Sequence, residues 1–173
     1  MDMKIALVSG SPRSGTSAMM RLLGKSGVPL FFLEESRPAD ENNPLGYFEN
    51  PLARQTIYIS RNADEYINAI HGKLSKLAMS KFIINLPLDH TYYIIWMERD
   101  PMESAISLSK FKYFKEGKYN IDQVAYEISQ DRNMALLYTN MNKNNFNVLK
   151  VPMHNLSDYI SIAKEHISPA IEI

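Results

Sequence analysis

The chain contains no cysteine, so a disulfide framework and thiolate chemistry are both excluded. It also lacks net charge: 19 Lys and Arg balance 19 Asp and Glu. Nothing global then favours nucleic acid or a membrane surface as a partner, and neither is expected. No apolar run approaches the roughly 20 residues of a membrane span. The apolar stretch in Met1 to Leu7 is too short for a secretory signal, which leaves the cytoplasm as the expected compartment. The four histidines, His71, His90, His154 and His166, form no HxxxH or HExxH spacing, so no metal site is expected. What remains is ordinary. With 173 residues, 45% hydrophobic and 22% charged, the chain reads as one domain spanning 1–173 with a real core.

Strands and helices are expected to alternate. Lys4 to Ser9 is a continuous apolar run, as in a strand buried on both faces. Thr16 to Lys25 has helical character, with Gly27 as its stop. Leu30 to Leu33 reads as a second strand, Ser36 to Asn50 as a loop, and Pro51 to about Met79 as helix broken near Ser60 to Asn62 and near Gly72. Lys81 to Leu86 and Tyr92 to Glu98 are apolar and strand-like. Pro101 suits the first turn of a helix reaching about Phe114, followed by a turn at Gly117 to Asn120. Asn120 can cap a long helix over Ile121 to Met141. Phe146 to Val151 reads as a fifth strand and Leu156 to Ile167 as a last helix. The alternation predicts an α/β domain with a mainly parallel sheet covered on both faces.

Between the first strand and first helix lies Gly10-Ser-Pro-Arg-Ser-Gly15-Thr16-Ser17, with the GxxxxG spacing of a phosphate-binding loop. A tight loop entering a helix presents unpaired backbone N–H groups, and the helix dipole adds partial positive charge. Ser11, Ser14, Thr16 and Ser17 add hydroxyl donors, and Gly15 permits close approach of the backbone. A nucleoside-triphosphate loop has Gly-Lys-Ser/Thr, whereas this chain has Gly15-Thr16-Ser17. The only cation in the loop is Arg13, which disfavours an ATPase or ordinary kinase.

This segment resembles the 5′-phosphosulfate loop of sulfotransferases that use 3′-phosphoadenosine 5′-phosphosulfate (PAPS). Many bacterial members and the tyrosylprotein sulfotransferases have Pro-Arg-Ser-Gly-Thr here, and cytosolic members have lysine at the place of Arg13. A second likeness is Arg99-Asp100-Pro101 at a strand end, with Ser107 eight residues after the arginine. In the family this pair binds the 3′-phosphate, and a guanidinium suits bidentate contact with phosphate oxygens. Asn43-Pro-Leu-Gly-Tyr-Phe-Glu49 resembles the NPxGYFE segment of bacterial members. Glu34-Glu35-Ser36-Arg37 resembles a tyrosylprotein sulfotransferase stretch that carries the catalytic base. Glu35 and Glu49 therefore compete for that role.

The resemblance implies a P-loop NTPase-like three-layer sandwich with a five-stranded, mainly parallel sheet in order 2-1-3-4-5. It implies sulfuryl transfer from PAPS, without metal, to a small-molecule hydroxyl or amine acceptor. Arg13 would stabilise developing charge, Ser11, Ser14, Gly15, Thr16 and Ser17 would hold the 5′-phosphate, and Arg99 and Ser107 the 3′-phosphate. Three family features differ. The family's Lys-Asp-Pro or Lys-Thr-Pro is Asn85-Leu86-Pro87 here, leaving Lys76 and Lys81 nearby without an assigned role. The late acidic segment is replaced by His154-Asn155. No basic, glycine-rich closing segment precedes Ile173, so the alternatives are weak cofactor binding, a closing element from a partner subunit in a homo-oligomer, or lost activity. Two rival classes stay open: a P-loop kinase, and a non-catalytic nucleotide- or anion-binding protein on the same fold.

Overall fold

The computed structural model describes residues 2–32, 39–41, 43–50, 52–53, 63–77, 79–111 and 120–171. Its strands are β1 (Lys4–Gly10), β2 (Leu30–Phe31), β3 (Leu74–Leu77), β4 (Thr91–Glu98) and β5 (Phe146–Pro152). Its α-helices are α1 (Thr16–Lys25), α2 (Asp64–Ile70), α3 (Pro101–Leu108), α4 (Ile121–Met141) and α5 (Ile160–Ile167). All strand pairs are parallel, and the sheet runs β2-β3-β1-β4-β5.

β1 is central because it is apolar on both faces: six of its seven residues are buried. Alternate residues feed two cores. Ile5 and Leu7 join Tyr92, Ile94 and Trp96 of β4 under α2 and α4, with Tyr66, Ile67, Ile70 and Ala135. Ala6 and Val8 join Ile95 and Met97 under α1 and α5, with Met19, Met20, Leu23, Ala163 and Ile167. The result is a three-layer α/β sandwich.

Two expectations about the middle of the chain need correction. The third strand is Leu74–Leu77, within the stretch expected to be helical, and Ser80–Asn85, expected as a strand, is a 3-10 helix. Leu74-Ser-Lys-Leu77 hides its strand character behind two polar residues, yet all four are buried. Tyr66 Oη donates to Ser75 Oγ at 3.3 Å, which satisfies one of them. Around the 3-10 turn Phe82, Ile83 and Leu86 are buried whereas Ile84 is exposed, which is helical spacing rather than alternation. The strand order also differs from 2-1-3-4-5, because β3 lies between β2 and β1. Burial explains this. The two residues of β2 are half-buried and suit an edge, whereas the fully buried β3 needs a neighbour on each side.

The ends of the chain follow expectation more closely. Helix α1 stops where Gly27 N donates to Gly24 O and Val28 N to Leu23 O, with Gly27 at φ 91°. Asn120 caps α4, accepting from Asp122 N and Gln123 N. α3 ends at Leu108, short of Phe114, and residues 112–119, including most of the expected turn, lie outside the described set. The last helix begins as a 3-10 turn over Leu156–Tyr159.

His166 in α5 gives the fold a pH dependence. Its Nε2 lies 3.1 Å from Asn147 O and its ring is edge-on to Tyr93 at 6.0 Å. Burial lowers its pKa below the ordinary 6.5, against an opposing pull from the Asn147 carbonyl. The unfolded chain therefore binds this proton more readily than the folded one. Its contribution is complete above pH 6.5 and falls as pH drops below that value. Thermal melts between pH 7.5 and 5 on wild type and His166→Gln check this. The variant is expected to lose stability less steeply on acidification, and equal slopes refute the assignment.

Candidate functional site

β1 and β4 are neighbours, with Gly10 opposite Met97 at their carboxyl ends. The loop after Gly10 and the Arg99-Asp100 link after β4 therefore leave the sheet side by side, on opposite sides of which the chain continues to β2 and β5. Such an edge is where ligands of open parallel sheets bind.

The loop has an unusual backbone. Gly10, Arg13 and Gly15 have φ of 153°, 64° and 94°. Arg13 is not glycine, so its left-handed geometry needs outside support. Arg99 supplies it: Arg99 Nη1 donates to Arg13 O at 2.9 Å. Arg99 Nε also pairs with Glu103 Oε2 at 3.2 Å. In turn, Arg13 Nε donates to Ser107 Oγ at 3.0 Å, and its guanidinium carbon lies 4.9 Å above the centre of the Phe111 ring. The two motifs, 86 and 94 residues apart in these contacts, thus form one hydrogen-bonded unit. Asp100 Oδ1 accepts from Met102 N and Glu103 N, so this carboxylate caps α3.

A third segment joins them. Ser17 Oγ donates to Tyr47 O at 2.9 Å. Lys76 Nζ donates to Ser17 Oγ at 3.1 Å and also to Tyr47 O. Glu49 Oε1 lies 3.8 Å from the same ammonium. The Lys76 side chain is only 4% exposed, against 29% for Glu49. Tyr47 is anchored at its other end, its hydroxyl donating to the Asp40 carboxylate at 2.8 Å. Asn43-Pro-Leu-Gly-Tyr-Phe-Glu49 therefore packs against the first turn of α1, and Glu49 belongs to the site. Glu35 and its neighbours lie outside the described residues, as does Arg37. His154 is exposed on the turn after β5.

Ser11 Oγ and Ser14 Oγ are buried without a hydrogen-bond partner, a costly state for hydroxyls, and a ligand would reach them only after the side chains rotate. The α1 N-terminus has no side-chain cap, so its first-turn amides lack the usual side-chain acceptor. Asn50 Nδ2, Trp96 Nε1 and Ser104 Oγ are likewise buried and unpartnered. Among the described residues no group of three or more His, Asp or Glu is placed to hold a metal ion. Nor is any helix among them long and apolar enough to cross a membrane.

Sequence reasoning singled out Arg13, Arg99, Ser107 and Glu49; the first three are in mutual contact, and Glu49 lies in a second group around Lys76 that meets the loop at Ser17. It did not assign Lys76 or Phe111. Lys76 falls in a stretch expected to be helical until β3 is located, and Phe111 follows the end of its helix.

No family model matches the chain, and no curated protein matches it. A crystal structure of an uncharacterized protein from Eubacterium ventriosum is similar to it at 13% identity, covering 98% of this chain and 99% of that one, with a TM-score of 0.40.

Proposed function

We propose that the chain binds an adenosine nucleotide with separated phosphate groups, and that it transfers a sulfuryl group from PAPS to a hydroxyl or amine acceptor. The observation that carries this reading is the joining of the two anion motifs through Arg13, which donates to Ser107 while its carbonyl accepts from Arg99. One arginine serves the loop and the other flanks it, as a ligand with two anionic ends requires.

Residues Ser11, Ser14, Gly15, Thr16 and Ser17 would hold the 5′-phosphate end, and Arg99 with Ser107 the 3′-phosphate. When bound, the cofactor supplies an activated sulfuryl group on a phosphate leaving group. Arg13 places fixed positive charge beside that end, where a pre-oriented donor is worth more than a mobile one. Lys76, buried between Ser17 and Glu49, adds a second cation on the other side of the loop. Glu49 is positioned by this ammonium and can accept the acceptor's proton. Glu35 remains the alternative base.

The kinase reading is weaker. Thr16 replaces the loop lysine, and the Asp100 carboxylate is committed to capping α3 rather than free for Mg²⁺. Binding without turnover is the competing outcome on the same fold.

Calorimetric titration with adenosine 3′,5′-bisphosphate, beside ATP with Mg²⁺, tests the proposal. The bisphosphate is expected to bind the wild type more tightly than ATP. Arg99→Ala is expected to weaken it roughly 10- to 100-fold, the usual size for a lost charge-assisted hydrogen bond to phosphate. No bisphosphate binding, or equal binding by the variant, refutes the cofactor assignment. Transfer of label from sulfated cofactor then separates an enzyme from a binder.

A further inference from the structure

We infer that Phe111 is a positioning residue for Arg13, and that its ring is why this loop works with arginine rather than lysine. The inference rests on the reading of Gly10–Ser17 as an anion site, and it concerns how the loop's only cation is aimed.

Phe111 lies just past α3, where its N–H donates to Leu108 O at 2.9 Å and holds the chain in a final turn. Its ring is 5% exposed and is therefore a fixed surface. Arg13 Cζ lies 4.9 Å from the ring centre, within cation–π range. Arg13 Nε meets Ser107 Oγ at 3.0 Å. A guanidinium is planar, with its donors in the plane and no donors on its faces. A ring within cation–π range of Cζ and a hydroxyl on Nε together restrict such a group more than either does alone. An ammonium has no plane to fix and rotates freely about its last bond. The backbone of Arg13 is held as well, through its carbonyl, by Arg99.

The side chain is ordered before any anion arrives, which removes part of the entropic cost of binding. Lysine at position 13 could keep a cation–π attraction, but it has no Nε–H for Ser107 and no planar fork for the ring and hydroxyl to orient together. Loop cation and ring therefore act as a pair.

A double-mutant cycle on adenosine 3′,5′-bisphosphate affinity tests this, using wild type, Phe111→Leu, Arg13→Lys and the double variant. Phe111→Leu is expected to weaken binding about 3- to 30-fold, the range of a cation–π contact. Phe111→Tyr, which keeps the ring, is expected to stay within about threefold of wild type. In the Arg13→Lys background, Phe111→Leu is expected to cost less than it does in wild type, because the ammonium lacks the Ser107 contact and the planar group that the ring orients. Strictly additive losses refute the pairing, as does failure of Phe111→Tyr to rescue. Proton NMR of the ligand-free protein supplies a second readout. The Arg13 δ protons are expected to be shifted upfield by the ring current, and Phe111→Leu to abolish the shift while Phe111→Tyr keeps it. Unshifted δ protons in wild type refute the positioning role. A wild type that shows the shift but binds no bisphosphate refutes the nucleotide assignment and leaves the positioning role supported.

Discussion

Replacing Gly10 with alanine is expected to lower the melting temperature by roughly 6–12 °C and to abolish anion binding. A Cβ at this position would lie 2.6 Å from Ser14 Oγ, 2.7 Å from Met97 O and 3.1 Å from Met97 Cβ. The serine oxygen can swing away, but Met97 O belongs to the sheet and cannot move without disturbing the β1–β4 pairing. Overpacking of this kind costs about 1–3 kcal/mol, and the φ of 153° adds backbone strain. A total of about 3 kcal/mol gives the stated shift for a domain of this size. Gly27→Ala is the control. Gly27 also has positive φ, 91°, but nothing lies within 4 Å of its added Cβ. Its cost is confined to conformation, about 1–2 kcal/mol, and anion binding is expected to survive. Calorimetric melts with and without the bisphosphate compare the two. Equal losses would show that Gly10 matters only for its dihedral angle.

Lys76→Met carries the next largest expectation. The substitution preserves the length of the side chain and removes its charge. It strips a donor from Ser17 Oγ and from Tyr47 O, and leaves Glu49 without this ammonium. Removing one member of a largely buried polar cluster costs about 3 kcal/mol, since its partners lose their compensation. The Glu49 share is discounted because that carboxylate is partly exposed and water screens it. Two measurements check the expectation. Bisphosphate affinity is expected to fall at least about tenfold, because Ser17, a Lys76 partner, is also one of the proposed ligands. Hydrogen exchange at Gly46 to Asn50 is expected to quicken, because the segment is tethered to the loop through Tyr47 O. Unchanged exchange would mean that Lys76 does not hold this segment in place.

Much of the sheet was legible in the sequence for a simple reason. Lys4 to Ser9 and Tyr92 to Glu98 are apolar on both faces, which few elements other than central parallel strands require. α1 and α4 were legible from a glycine stop and an asparagine cap whose hydrogen bonds are present. β3 was not, because Ser75 and Lys76 are polar residues buried through distant partners: Tyr66 for one, Ser17 and Tyr47 for the other. Local patterning carries no trace of a partner 59 residues away. The expectation of a strand at 81–86 failed for the opposite reason. Phe82 and Ile83 are apolar and buried, but they pack as a short helical turn under α4.

The site divides in the same way. Arg13 was singled out by the loop spacing, and Arg99 with Ser107 by a family resemblance. The contact between them was not legible, nor was the part played by Phe111.

The bonds that hold Arg13 bear on when the loop can exist at all. Its carbonyl is held by a residue 86 positions later and its side chain by one 94 positions later. Contacts of such high sequence separation form only after the intervening chain has closed, and they weigh on folding speed. A nascent chain that has emerged only as far as β3 carries every residue of Gly10–Ser17 but neither Arg99 nor Ser107 to hold Arg13. The motif is written at the start of the protein, and its shape is completed only after β4 has docked beside β1.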